Sequence, residues 1–295
     1  MDFSRVIEDM GFQLISLAVT DLPQDVRNRL RQAYDNEKSE IGRTQLKTIL
    51  DNIELADKLK LPMCQDTGII SFYVKLGAGF PAINVVEDAL TKALRRATTD
   101  IPLRPNVVHP ITRANSGDNT GLRVPHIEWE IAGAGDFLEV TVFPKGAGSE
   151  NMCSFKMLKP GEGVQGIKKF VVDTVVEAGG QPCPPIILGV GIGGTADVVM
   201  GLAKRALTTP LDESNPDPEI ASLEKELYEL INETGIGPQG LGGTYTALSV
   251  KALYSYCHTA SLPVACAIQC WAARKSSARV SRDGTVSYLT HRLGR

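Results

Sequence analysis

Residues 63–68 read Met-Cys-Gln-Asp-Thr-Gly, and they set four chemical functions in a row. Cys64 offers a thiolate, a soft ligand for a transition metal. Gln65 offers an amide that donates and accepts. Asp66 offers a carboxylate able to move a proton. Thr67 adds a hydroxyl, and Gly68 suits a turn. The plain alternative is a capped loop around a buried thiol. Two other stretches carry comparable potential. Residues 101–120 are polar, hold prolines at 102, 105 and 110, and run into Asn-Ser-Gly-Asp-Asn-Thr-Gly at 115–121. A loop of that length in a compact domain is often functional. It contains Arg104, His109, Arg113 and Asp118. Residues 145–151 read Lys-Gly-Ala-Gly-Ser-Glu-Asn, and Gly146, Ala147 and Gly148 let a backbone approach a ligand closely.

The six cysteines are Cys64, Cys153, Cys183, Cys257, Cys266 and Cys270. No CxxC pair occurs, which argues against zinc-ribbon and thioredoxin-like sites. Buried inert thiols, a catalytic thiol and a cluster of distant cysteines remain open. Cys64, Cys183 and Cys270 lie in constrained turns or beside polar residues, which favours them as a ligand trio. Cys257 and Cys266 read as more apolar in setting. Three thiols would leave one iron of a cubane cluster without a protein ligand, an open Lewis acid. The histidines at 109, 126, 258 and 291 form no HxH or HxxxH pair, so a histidine metal site is not expected. His126 reads as structural and His291, near the tail, as exposed. His258, just before an apolar run leading to a cysteine, is the best functional candidate.

These residues need a scaffold, and the periodicities predict a mixed one. Residues 3–60 read as helices; 85–96, 164–178, 196–207 and 218–233 read as further helices. Residues 69–75 and 186–190 read as strands. Residues 126–131 and 137–143 alternate about Ala-Gly-Ala-Gly-Asp and suggest a hairpin. Residues 244–256 fit helix or strand. Val280 and Val286–Tyr288 about Asp283-Gly284 suggest a terminal hairpin. Gly189, Gly191 and Gly194 satisfy GxGxxG after a strand. The Pro-rich excursion that follows argues against a dinucleotide fold, and a turn whose amides face an anion is the better reading. Residues 235–243 form a second glycine-rich loop.

The chain has 295 residues, 43% hydrophobic and 22% charged, with net charge -3. No basic surface points to nucleic acid. No apolar run has a membrane helix's length, and the N-terminus lacks the features of a secretory signal or transit peptide. A cytoplasmic protein is the expectation.

Taken together, these motifs carry a resemblance. Residues 63–68, 115–121, 145–151, 183–197, 235–243 and 258–275 jointly resemble the alpha subunit of the class I iron–sulfur hydro-lyases, the two-subunit fumarate hydratases and L-tartrate dehydratases. The likeness covers nearly the whole chain. It implies an α+β fold of the cluster-binding N-terminal type, one domain over 1–295 or two subdomains without a clear linker. It implies a [4Fe-4S] cluster on Cys64, Cys183 and Cys270. It implies substrate contacts at Gln65, Arg104 and the Gly146–Gly148 turn, and catalytic roles for Asp66 and His258. Ala147 departs from the family, where a third glycine is frequent. The implied activity is reversible hydration of fumarate to malate in the tricarboxylic acid cycle, with L-tartrate or another hydroxy-diacid as the alternative substrate. The implied partners are a separate beta subunit and a second alpha subunit, in an α2β2 heterotetramer. Outside the enzyme class, the alternative is a non-catalytic binding or scaffold subunit.

Overall fold

The computed structural model describes residues 1–291. Its elements are α1 (Phe3–Thr20), α2 (Gln24–Asn36), α3 (Glu40–Leu59), β1 (Ile69–Gly77), α4 (Val86–Asp100), β2 (His126–Ala132), β3 (Phe137–Lys145), α5 (Ala147–Glu150), β4 (Ser154–Leu158), α6 (Gly163–Ala178), β5 (Ile186–Gly193), α7 (Ala196–Ala206), α8 (Pro218–Glu233), β6 (Ala247–Ser255), β7 (Leu262–Gln269), β8 (Ser276–Ser281) and β9 (Val286–Tyr288). Helices and two mixed sheets make the fold α+β, as the sequence predicts. The chain divides into two compact units. Unit 1 comprises Met1–Gln24, Asn52–Gly146 and the chain from Arg274 on; unit 2 comprises Asp25–Asp51 and Ala147–Ala273.

Unit 1 is a five-stranded sheet in the order β2-β1-β3-β8-β9. Strand β1 alternates, so Ile70, Phe72, Val74 and Leu76 are buried on one face. They join Leu138, Val140 and Val142 of β3, Val280 of β8, and residues such as Leu14 of α1 and Leu90 and Leu94 of α4. Burying that apolar face is the main stabilising term for the sheet. Gly11 brings α1 close to α4: a methyl there would stand 3.0 Å from the Ala93 Cβ.

The predicted hairpin of residues 126–143 does not form. β2 pairs in parallel with β1, from Ser71 with His126 to Gly77 with Ala132, and β3 pairs antiparallel on the other side of β1. Alternation marks a strand but not its neighbour. The connection crosses the end of β1, where Gly79 N–H donates to Gly135 O at 2.9 Å. A Cβ at Gly77 would lie 2.3 Å from the same carbonyl, so only glycine admits the crossing. The terminal hairpin does form, as β8 and β9.

Unit 2 is a four-stranded sheet in the order β4-β7-β5-β6. Its core sets Leu188 and Val190 of β5 and Val264 and Ile268 of β7 against Val171 and Val175 of α6 and Leu227 and Ile231 of α8. The ambiguous stretch 244–256 is strand β6, parallel to β5. β6 ends the sheet, and side chains cover its edge: Ala252 N–H donates to Glu224 Oε1 at 2.7 Å, and its carbonyl accepts from Asn215 Nδ2 at 2.8 Å. The glycines of the GxGxxG match have a packing role. A Cβ at Gly189 would meet Ala203 O at 2.1 Å, and one at Gly191 would meet Val199 O at 2.0 Å, so both let α7 lie on β5. Among the described residues, no helix is long and apolar enough to cross a membrane.

Candidate functional site

The Met63–Gly68 turn of unit 1 is fixed on both sides. Lys60, just past the end of α3, adopts φ 53°, a left-handed helix stop. Met63 is buried; its N–H donates to Val19 O at 2.9 Å, and its carbonyl accepts from Asn52 Nδ2 at 2.9 Å. Cys64 follows, half-buried, and Gln65 is exposed. Asp66 Oδ1 accepts the Gly68 N–H at 2.9 Å, a side-chain turn that holds the carboxylate against its own backbone.

The long polar loop is ordered by its asparagines. Asn119, buried and at φ 59°, accepts the Asn106 N–H at 2.7 Å and donates to Thr98 Oγ1 at 3.1 Å and Arg104 O at 3.2 Å. Thr67 Oγ1 accepts the Arg104 N–H at 3.1 Å. Asn106 Nδ2 then donates to Asp66 Oδ1 at 3.2 Å. The Arg104 backbone is therefore locked beside the turn while its side chain is exposed. Asp118 braces the loop end. Burial would raise its pKa, but hydrogen bonds from Thr120, Ser116 and Arg95 outweigh that and bring it to about 2.

At the end of β3, Gly146 lies close against two polar groups. A Cβ there would lie 2.9 Å from Asp66 Oδ2 and 3.4 Å from Arg274 Nη2. Arg274 is 1% exposed, and its Nη1 donates to Asp66 O at 2.8 Å. Sequence reasoning missed Arg274 and Asn106. Arg274 stood inside the 258–275 motif, and its signal was a charged residue leading straight into a buried strand.

In unit 2, Cys183 sits at φ 56°, a costly angle for a residue with a side chain. Its carbonyl accepts the Trp271 N–H at 3.2 Å, which brings the backbones at 183 and 271 together one residue from Cys270. The next carbonyl, of Pro184, accepts both the backbone N–H of Gln239 at 2.8 Å and its Nε2 at 3.2 Å. The second glycine-rich loop thus braces the Cys183 turn. That loop is anchored by buried Glu37, which accepts N–H groups from Ser39 at 2.9 Å, Thr244 at 2.9 and 3.0 Å and Tyr245 at 3.1 Å. Burial alone would raise the Glu37 pKa, but these donors hold it below the ordinary value. Gly148 packs near the same turn, its Cβ position 3.1 Å from Gln181 O, and Ala147 is exposed beside it. His258 is exposed in a tight turn, with Nδ1 accepting the Ala260 N–H at 3.1 Å. A neutral ring then carries its proton on Nε2 and can donate outward.

Unit 1 therefore gathers Cys64, Gln65, Asp66, Arg104 and Gly146, and unit 2 holds Ala147, Gly148, Cys183, His258 and Cys270. None of the six cysteines is in a disulfide; Cys183 is exposed, Cys64 and Cys270 are half-buried, and Cys266 is buried within β7. Cys257 is exposed, not apolar in setting, because it lies in the turn after β6. His291 is buried at 8%, not exposed, with Nδ1 2.9 Å from Thr290 Oγ1. Among the described residues, no three His, Cys, Asp or Glu side chains are grouped closely enough to hold a metal ion. A four-iron cluster is wider than one ion, and three accessible, reduced thiols in polar turns have the donor chemistry it requires.

The sequence model of the fumarate hydratase (Fumerase) family matches residues 9–279. The chain belongs to this family. It is a family of hydro-lyases, which sets the scaffold alternative aside. A Methanocaldococcus jannaschii protein with the provisional name L(+)-tartrate dehydratase subunit alpha is 48% identical over 280 residues, 94% of this chain and 98% of its own. The L(+)-tartrate dehydratase subunit alpha of Escherichia coli strain UTI89 is 37% identical over 92% of this chain and 90% of its own. The protein of the same name from Shigella sonnei is 36% identical over the same shares. Fumarase-family membership thus rests on most of the chain, including every candidate residue named above.

Proposed function

We propose that the protein is the alpha subunit of an iron–sulfur fumarate hydratase, adding water reversibly to fumarate to give malate. The observation that carries this is the Asp66 turn: a carboxylate fixed by Gly68 and Asn106, close against Gly146 and beside a buried arginine. Cys64, Cys183 and Cys270 would hold a [4Fe-4S] cluster, which when bound supplies an open iron as Lewis acid toward the substrate hydroxyl.

The remaining chemistry falls to the chain's own side chains. Asp66 takes or returns the proton on the carbon next to the hydroxyl-bearing one. Its bond from Gly68 fixes the carboxylate plane. Arg104 presents an exposed planar guanidinium that can bind a substrate carboxylate through two N–H groups, and its locked backbone limits the entropy lost in doing so. Gln65 and the Nε2–H of His258 donate hydrogen bonds. Backbone N–H groups at 146–148 suit the second carboxylate and strengthen as charge builds on the intermediate.

A separate beta subunit completing the site, alpha–alpha pairing and an α2β2 assembly belong to the same proposal. The relatives' names as alpha subunits support it. So does the Arg104 loop, which leaves Ile111 at 85% and Leu122 at 96% exposure, apolar surface that a partner would cover. The tartrate names of those relatives favour L(+)-tartrate as a second reading. The test is anaerobic co-expression with the partner subunit, iron and sulfide analysis, and assays on fumarate, malate and L(+)-tartrate. About four irons per alpha chain and turnover of malate sustain the first reading. Turnover of tartrate alone replaces it with the second, and an iron-free, inactive assembly refutes both.

A further inference from the structure

Arg274 is the largest fully buried side chain among the described residues. A buried guanidinium is costly unless its donors are met. Here only part of the fork is met. Nη1 donates to Asp66 O at 2.8 Å, and Nε is buried with no hydrogen-bond partner. Nη2 and Asp66 Oδ2 both lie close to Gly146, 3.4 and 2.9 Å from where its Cβ would stand. A residue needed only to fill space would be apolar; a cation is retained here at the carbonyl and carboxylate of one aspartate.

We infer that Arg274 is the positioning residue for Asp66, tying its carbonyl and setting a fixed positive charge beside Gly146, where its carboxylate also lies. This rests on the reading of Asp66 as the proton-transfer group. Because Asp66 sits two residues from both Cys64 and Gly68, one guanidinium contact fixes the whole polar turn. The carboxylate then cannot swing with its backbone, and its approach to the reacting carbon is set before substrate arrives. Gly146 serves the arrangement, since any side chain there would separate Asp66 from Arg274.

The Gly68 N–H bonded to Asp66 Oδ1 is a direct reporter. In the full chain without partner, Arg274→Lys keeps the charge and loses the fork, and Arg274→Met keeps the stem alone. Both are expected to speed hydrogen exchange at Gly68 about tenfold, the scale of one lost hydrogen bond to a charged group. Amides of Val140 and Val142 in the middle of β3 are expected to exchange as in the parent chain. In the assembled enzyme, Arg274→Lys is expected to lower kcat about tenfold or more with KM within about twofold. Unchanged Gly68 exchange in either folded variant overturns the inference. So does equal acceleration in β3, which would make Arg274 a core residue only, and so does a raised KM at unchanged kcat, which would make it a substrate anchor. An inactive parent assembly would instead refute the proposed function, while Gly68 exchange still decides the role of Arg274.

Discussion

Two carboxylates, one in each unit, hold glycine-rich backbone by similar means in different surroundings. Glu37 of unit 2 is buried, and both its oxygens accept backbone N–H groups, from Ser39, Thr244 and Tyr245. Asp66 of unit 1 is half-buried; Oδ1 is held by Gly68 and Asn106, and Oδ2 lies close to Gly146, 2.9 Å from where a Cβ would stand. A carboxylate surrounded by amides is stabilised as an anion and serves as an anchor. Asp66 instead receives a backbone N–H and a side-chain amide on Oδ1, beside a glycine position too tight for a side chain, the setting that the proposed proton-transfer role uses. The difference lies in packing, since the residues are chemically alike.

The sharpest way to break the comparison is Asp66→Asn. Turnover of the assembled enzyme should fall by roughly 10²–10⁴-fold, while melting temperature and iron content match the parent; full activity would end the assigned role. Next comes Glu37→Ala, which should leave three loop amides without an acceptor and lower unfolding free energy by about 3 kcal/mol, measured by denaturant titration. A change below about 0.5 kcal/mol would show water replacing the carboxylate without loss. Gly146→Ala then tests the close approach of Asp66 to the backbone. Its methyl would stand 2.9 Å from Asp66 Oδ2, so turnover should drop about tenfold with stability little altered. The smallest effect is acid sensitivity. The Glu37 pKa in the fold lies below the ordinary 4.5, so its stabilisation is present above that value and is lost as pH falls through the folded pKa. Glu37→Gln should therefore flatten the acid limb of stability against pH, and an unchanged limb would mean other carboxylates govern it.

Where the sequence was legible, the cause was local. Helix α8 begins at Pro218 and ends at Glu233 as read, because Asp217 caps it through the Glu219 N–H at 2.9 Å and proline fits its first turn. The β8–β9 turn followed from Asp283-Gly284, with Ser281 N–H donating to Thr285 O at 3.0 Å. Where it was not legible, the cause was distant. β2 chose β1 rather than β3 through a crossing that only Gly77 and Gly79 permit. Glu37 clamps residues more than 200 positions away, and nothing in its own neighbourhood announces that. In the candidate site, Asp66 and Gly146 stood out by composition. Arg274 did not, because a lone arginine before a strand looks like surface until its burial is known.

Unit 1 is built from three separated stretches of chain. That has a consequence in time. Asp66 and Arg274 are 208 residues apart, so at typical synthesis speeds the aspartate leaves the ribosome roughly 10–40 s before the guanidinium that holds it. Two strands of the five-stranded sheet, β8 and β9, arrive with Arg274 or after it. A growing chain thus displays Cys64 and Asp66 on an unfinished scaffold. The Asp66 turn gains its guanidinium contact only when the stretch that begins at Arg274 has emerged and folded onto it.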